Sequence, residues 1–133
     1  MAFPLSYILL LAQQPHQAQV LVSLFRDLCD RVAIAVSEAQ AIDQLNQAAP
    51  FLIVLSGDPN HWSGELLRHC RTYDPHKRTT LVALTDFHTP RWVHPDENPG
   101  FDGFLVTPLS HEVVTSLVES AYTRHACFLA TSA

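Results

Sequence analysis

A doubly wound α/β domain is the fold this sequence predicts, with a five-stranded parallel sheet in the order 2-1-3-4-5 and helices on both faces. Three observations carry it. Phe51-Leu52-Ile53-Val54-Leu55 is an unbroken apolar run that stops at Ser56-Gly57-Asp58-Pro59. A run of that kind is the pattern of a strand buried on both faces, as parallel strands under helices are. Similar runs recur along the chain, and segments with apolar residues at helical spacing separate them. No repeat, low-complexity tract or linker interrupts the alternation, so residues 1–133 are expected to form one unit.

Ser6-Tyr7-Ile8-Leu9-Leu10-Leu11-Ala12 is the expected first strand, ending at Gln13-Gln14-Pro15. From His16 to Arg31, Leu21, Leu24, Phe25 and Leu28 fall on one side of an amphipathic helix. Val32-Ala33-Ile34-Ala35-Val36 is a second, shorter strand. Ser37-Glu38-Ala39-Gln40 then reads as a capping box, with the Gln40 side chain expected to reach back to the Ser37 amide. The helix it starts presents Ala41, Ile42, Leu45 and Ala49 inward and ends before Pro50.

After the third strand, Asn60 or Ser63 can cap a helix with Leu66, Leu67, Cys70 and Tyr73 inward. Thr79 to Thr85 is a fourth strand, and a fifth lies between Phe101 and Val106. Ser110 caps the last helix, with Glu112 in its first turn and a stripe of Val114, Leu117, Val118 and Ala121. The helix due between strands four and five is expected to be short or irregular. Pro90 is acceptable in a first turn, but Pro95 removes an amide hydrogen bond and clashes with the turn before it.

Composition narrows the function classes. A hydrophobic content of 47% and a charged content of 16% exclude a disordered chain. A net charge of -5 argues against nucleic acid or an anionic membrane as partner. The apolar run Tyr7 to Ala12 is too short for a signal core or a membrane span. Cys29, Cys70 and Cys127 are odd in number and set in apolar surroundings, which suits buried free thiols and a cytoplasmic location.

Read together, Ile8 to Pro15, Pro50 to Ser56, Ala83-Leu84-Thr85 and Phe104-Leu105-Val106-Thr107-Pro108-Leu109 resemble the receiver (CheY-like) domain of bacterial two-component response regulators. The resemblance implies a pocket beyond the carboxyl ends of the strands. There the family keeps acidic metal ligands after strand one, a phosphoacceptor aspartate ending strand three, a Thr or Ser ending strand four, and a Lys-Pro pair after strand five. In this sequence Thr85, Phe104 and Pro108 match. Ala12 and Gln13 stand in place of the metal-binding carboxylates, Ser56 in place of the phosphoacceptor and Thr107 in place of the lysine, with Asp58 the acidic residue left nearby.

These replacements remove a chemistry. Aspartyl phosphorylation needs a carboxylate nucleophile, a hard cation held by oxygen ligands and a positive group for the product. Ser56 cannot form an acyl phosphate. The resemblance therefore implies a pseudo-receiver: a non-enzymatic signalling module, without cofactor or metal, that acts by protein–protein interaction. Its switch-like pair would be Thr85 and Phe104. Two alternatives stay open: a phosphorelay regulator with a non-standard phosphoacceptor, and a flavodoxin-like small-ligand domain. The second lacks a phosphate-cradling glycine loop, with Gly at only four positions.

Other residues invite weaker readings. Ser56 is not set in a Gly-x-Ser-x-Gly turn, so a small polar residue closing a strand is the better account. His88, His94, Asp96 and Glu97 lack the spacing of a zinc motif and are expected to be solvated. Trp92, Val93 and His94 in the Pro-broken segment, with Ser110 and His111 at the start of the last helix, make the expected interaction face. The partner expected there is a histidine kinase, another signalling domain or a second copy of the chain.

Overall fold

The computed structural model describes residues 7–12, 14–29, 31–47, 50–56, 66, 68, 79–86, 103–107 and 109–131. In chain order these form β1 (Ile8–Leu11), α1 (Pro15–Arg26), β2 (Val32–Ala35), α2 (Glu38–Gln47), β3 (Leu52–Ser56), β4 (Thr80–Asp86), β5 (Gly103–Thr107) and α3 (His111–Thr131). The strands pair in parallel as β2-β1-β3-β4-β5. Leu66 and Arg68 are helical, while the expected irregular segment from Phe87 to Pro99 lies outside the described residues.

Period-two alternation along each strand sorts the core into two layers. Ile8, Leu10, Leu52, Val54, Val82 and Leu84 face one side, where Ala18, Leu21 and Phe25 of α1 and Val114, Val118 and Ala121 of α3 cover them. Leu9, Leu11, Ile53, Leu55, Leu81 and Ala83 face the other, under Ala41 and Leu45 of α2 and the helical Leu66. Both faces are thus covered by helices, and that explains why β1 and β3 read as unbroken apolar runs with every residue buried. β2 and β5 are the edge strands, and β2 leaves Ile34 exposed.

Several local expectations change in detail. α1 ends at Arg26 rather than Arg31, because the Leu28 and Cys29 amides both donate to the Phe25 carbonyl and close the helix in a turn. Cys29 is buried as expected, and its thiol donates to the Arg31 carbonyl at 3.5 Å. At α2 the Gln40 amide donates to Ser37 Oγ at 3.2 Å. The return bond comes from the Val36 amide to Gln40 Oε1 at 2.9 Å, one residue earlier than the expected Ser37 amide. At α3 the Ser110 cap holds as expected, its Oγ accepting the Val113 amide at 3.2 Å.

Two neighbouring threonines at the start of β4 differ. Thr79 donates its hydroxyl to the Pro50 carbonyl, which ties the segment to the start of β3. Thr80 Oγ1 is buried with no hydrogen-bond partner among the described residues. A buried orphan hydroxyl costs about 1–3 kcal/mol, and valine has nearly the same shape without it. Thr80→Val should therefore stabilise the fold by about 1 kcal/mol, a rise of roughly 3 °C in the melting temperature. A fall on differential scanning calorimetry would mean that the hydroxyl is hydrogen-bonded in solution.

Candidate functional site

Parallel sheets build sites beyond the carboxyl ends of their strands, and the register gives the layout of that edge here. Leu11 pairs with both Ala35 and Leu55, Leu55 with Ala83, and Ala83 with Phe104. One step further, Ala12 follows Leu11 beside Ser56, and Ser56 pairs with Leu84, which pairs with Leu105. Thr85 pairs with Val106 in the next row, and Asp86 with Thr107 in the last. Ala12, Ser56, Thr85 and Thr107, far apart in sequence, thus share one edge of the sheet. Phe104 stands two rows below Val106, within β5. Gln13 and Asp58 lie outside the described residues.

Burial at this edge is described for Ala12, Ser56 and Leu84. Ala12 is fully buried, belongs to the same core layer as Leu10, and donates its amide to the Ala35 carbonyl at 3.1 Å. Ser56 is 4% exposed and Leu84 is 6% exposed. The core layer under α1 and α3 therefore runs up to the row where the resemblance places a carboxylate-rich pocket. Among the described residues, no group of three or more His, Cys, Asp and Glu side chains is placed to hold a metal ion.

One residue at this edge was missed by the sequence reading. β4 continues one residue past Thr85, so Asp86 stands opposite Thr107 at the carboxyl end of the sheet. Its acidic side chain directly after a strand-ending Thr was the available signal.

Of the expected interaction face, Trp92, Val93 and His94 lie outside the described residues. Ser110 and His111 are exposed at the start of α3. Ser110 already spends its oxygen on the helix cap, and the carbonyl of His111 accepts the Thr115 hydroxyl at 2.7 Å. The imidazole of His111 has its Nδ1 3.5 Å from the Thr115 hydroxyl.

No protein-family model matches the chain, and no curated protein matches it. Solved structures do. NtrX from Brucella abortus, in complex with ADP, superposes with a TM-score of 0.78 at 16% identity over 96% of this chain, which spans only 28% of that longer chain. A response regulator receiver domain protein from Clostridium thermocellum gives 0.74 at 17% identity, covering 93% of this chain and 99% of its own. The chemotaxis protein CheY4 of Vibrio cholerae gives 0.72 at 19% identity, over 88% and 98% respectively. The chain has the fold of receiver domains.

Proposed function

We propose that this receiver-type fold works as a signalling module that does not accept a phosphoryl group and acts by binding another protein. The observation that carries the reading is the burial of Ala12 and Ser56, 0% and 4% exposed, side by side at the row where phosphotransfer chemistry would stand. A magnesium site needs oxygen ligands open to water and substrate. A methyl group inside the core supplies neither. No helix among the described residues is long and apolar enough to cross a membrane.

Partner binding is assigned to the segment carrying Trp92, Val93 and His94 together with His111. A kinase, another signalling domain or a second copy would dock there, because a tryptophan can supply most of the energy of an interface. With no phosphoryl trigger, any change at Thr85 and Phe104 has to come from the partner's differential affinity for two packings of the domain.

Intact-mass analysis after incubation with acetyl phosphate and Mg²⁺ is the test. The expected result is an unmodified chain, with no change in its amide spectrum on adding Mg²⁺ and beryllofluoride. A stoichiometric phosphoryl adduct would overturn the proposal. Asp86 gives a second reading its specific support, since β4 ends on this acidic residue at the carboxyl edge of the sheet. Under that reading peptide mapping of the adduct finds the phosphoryl group on Asp86.

A further inference from the structure

Away from the carboxyl edge, the C-terminal end of α1 and the middle of α3 enclose an open groove of about 440 Å³, within the size range of ligand sites. Its floor is apolar. Val118 is buried, and Leu28 and Tyr122 are half-buried beside it. The Tyr122 ring is held by an edge-on contact with Phe51, with ring centroids 5.5 Å apart. The rim is acidic: Asp27 comes from the end of α1 and Glu119 from α3, both exposed. No basic residue is among the described residues that line it.

The backbone adds to this charge. Asp27 is the C-cap of α1, where carbonyl groups already make the helix end negative. A carboxylate there opposes the helix dipole, so Asp27 does not serve the stability of α1. Asp27 and Glu119 thus line one groove at the C-terminal end of α1, whose last turn carries Arg26, a residue that is not part of the lining. The apolar floor and the fixed aromatic ring favour a cation with an apolar, planar body over a bare metal ion.

We infer that this groove between α1 and α3 is a docking site for an arginine-bearing segment of a partner protein, its guanidinium held by Asp27 and Glu119 and its aliphatic stem lying on Leu28, Val118 and Tyr122. The chain's net charge of -5 draws such a segment in at long range, and the groove gives it a place to bind. This inference does not rest on the proposed loss of phosphotransfer, and it assigns a second surface, which borders the corner carrying His111 at Thr115.

The test is a titration of the full chain, followed by its amide spectrum, with a short synthetic peptide of arginine and leucine and with a control in which glutamates replace the arginines. The expected result is perturbation of the Leu28, Thr115, Glu119 and Thr123 amides by the arginine peptide alone, weakening as salt is added. Asp27→Asn with Glu119→Gln should reduce the affinity roughly tenfold, by removing two charge pairs. The double variant should keep the wild-type circular dichroism and melt no lower than wild type, because both side chains are exposed and Asp27 opposes the helix dipole. Asp43→Asn on α2 neutralises an exposed carboxylate elsewhere and should leave the affinity unchanged.

Equal binding of both peptides, perturbations that map off the groove, an unaltered affinity in the double variant, or an equal loss in Asp43→Asn would each overturn the inference. So would perturbation of the groove amides by raising the protein concentration alone, with a dimer in sedimentation that the double variant abolishes. That result would assign the groove to a second copy of the chain.

Discussion

Ala12→Asp, Gln13→Asp and Ser56→Asp, made together, should cost several kcal/mol of stability in metal-free buffer, the largest effect expected from changes at the carboxyl edge. Ala12 and Ser56 are buried in adjacent strands, and the first is part of an apolar core layer. A carboxylate forced into such a place loses its hydration, and it meets a like charge one strand away. The effective penalty for a buried ion is several kcal/mol, against a total stability of only about 5–15 kcal/mol for a domain. Thermal unfolding of wild type and variant, followed by circular dichroism, measures it.

The pH dependence has a definite sign. Burial and like charge raise the folded-state pKa of the new aspartates above their unfolded value of about 3.9. Their protonated forms suit the fold, so the damage is least below that value and grows as pH rises through the raised folded pKa. The gap between variant and wild type should therefore widen from about pH 4 to pH 7. Mg²⁺ should restore part of the loss at neutral pH, because it neutralises the new carboxylates. A melting temperature that does not move in metal-free buffer would show that this edge is not closed in solution, and the proposed function argued from the burial of Ala12 and Ser56 would lose its support.

Phe51→Ala should be nearly as damaging, at about 3–5 kcal/mol in urea denaturation. Phe51 is fully buried just before β3, and its carbonyl accepts the Thr80 amide at 3.0 Å. Its ring meets Tyr122 edge-on, with an interplanar angle of 76°. This contact pins the middle of α3 to the amino end of the central strand, and the Tyr122 ring lines the acidic groove. A double-mutant cycle with Tyr122→Leu should give a coupling of about 0.5–1.5 kcal/mol, the range for an aromatic pair. A cost below about 1 kcal/mol for Phe51→Ala would mean that α3 collapses into the vacated space, which is contrary to a core packed to crystal-like density.

Much of the fold was legible in the sequence because it depends on short-range pattern. A parallel strand under two layers of helices must be apolar at every position, and Leu52 to Leu55 announces that without any knowledge of its neighbours. Ser37 and Ser110 mark helix starts because a hydroxyl three residues before an orphan amide is a local arrangement. The parallel, doubly wound architecture followed from the alternation of strands and helices together with the handedness of crossovers, and the observed order is one of the two common to such sheets. The absence of acidic residues at Ala12 and Ser56 was likewise plain in the sequence.

What the sequence did not carry depends on which strands stand side by side and where helices meet. The helical spacing of α1 runs on to Arg31, but the chain has to turn at Asp27 to lay Cys29 in the core and reach β2. Gln40 bonds to Val36 rather than Ser37 because the path leaving the edge strand brings that amide within its reach. Ala12 and Ser56 become neighbours only through the pairing of β1 with β3, and Asp86 reaches the site edge only because β4 stays paired with β5 as far as Thr107. Asp27 and Glu119 are unremarkable exposed acids in sequence. Their convergence on one groove is decided by α1 packing against α3, since periodicity says which side of a helix is buried but not which other helix lies beside it.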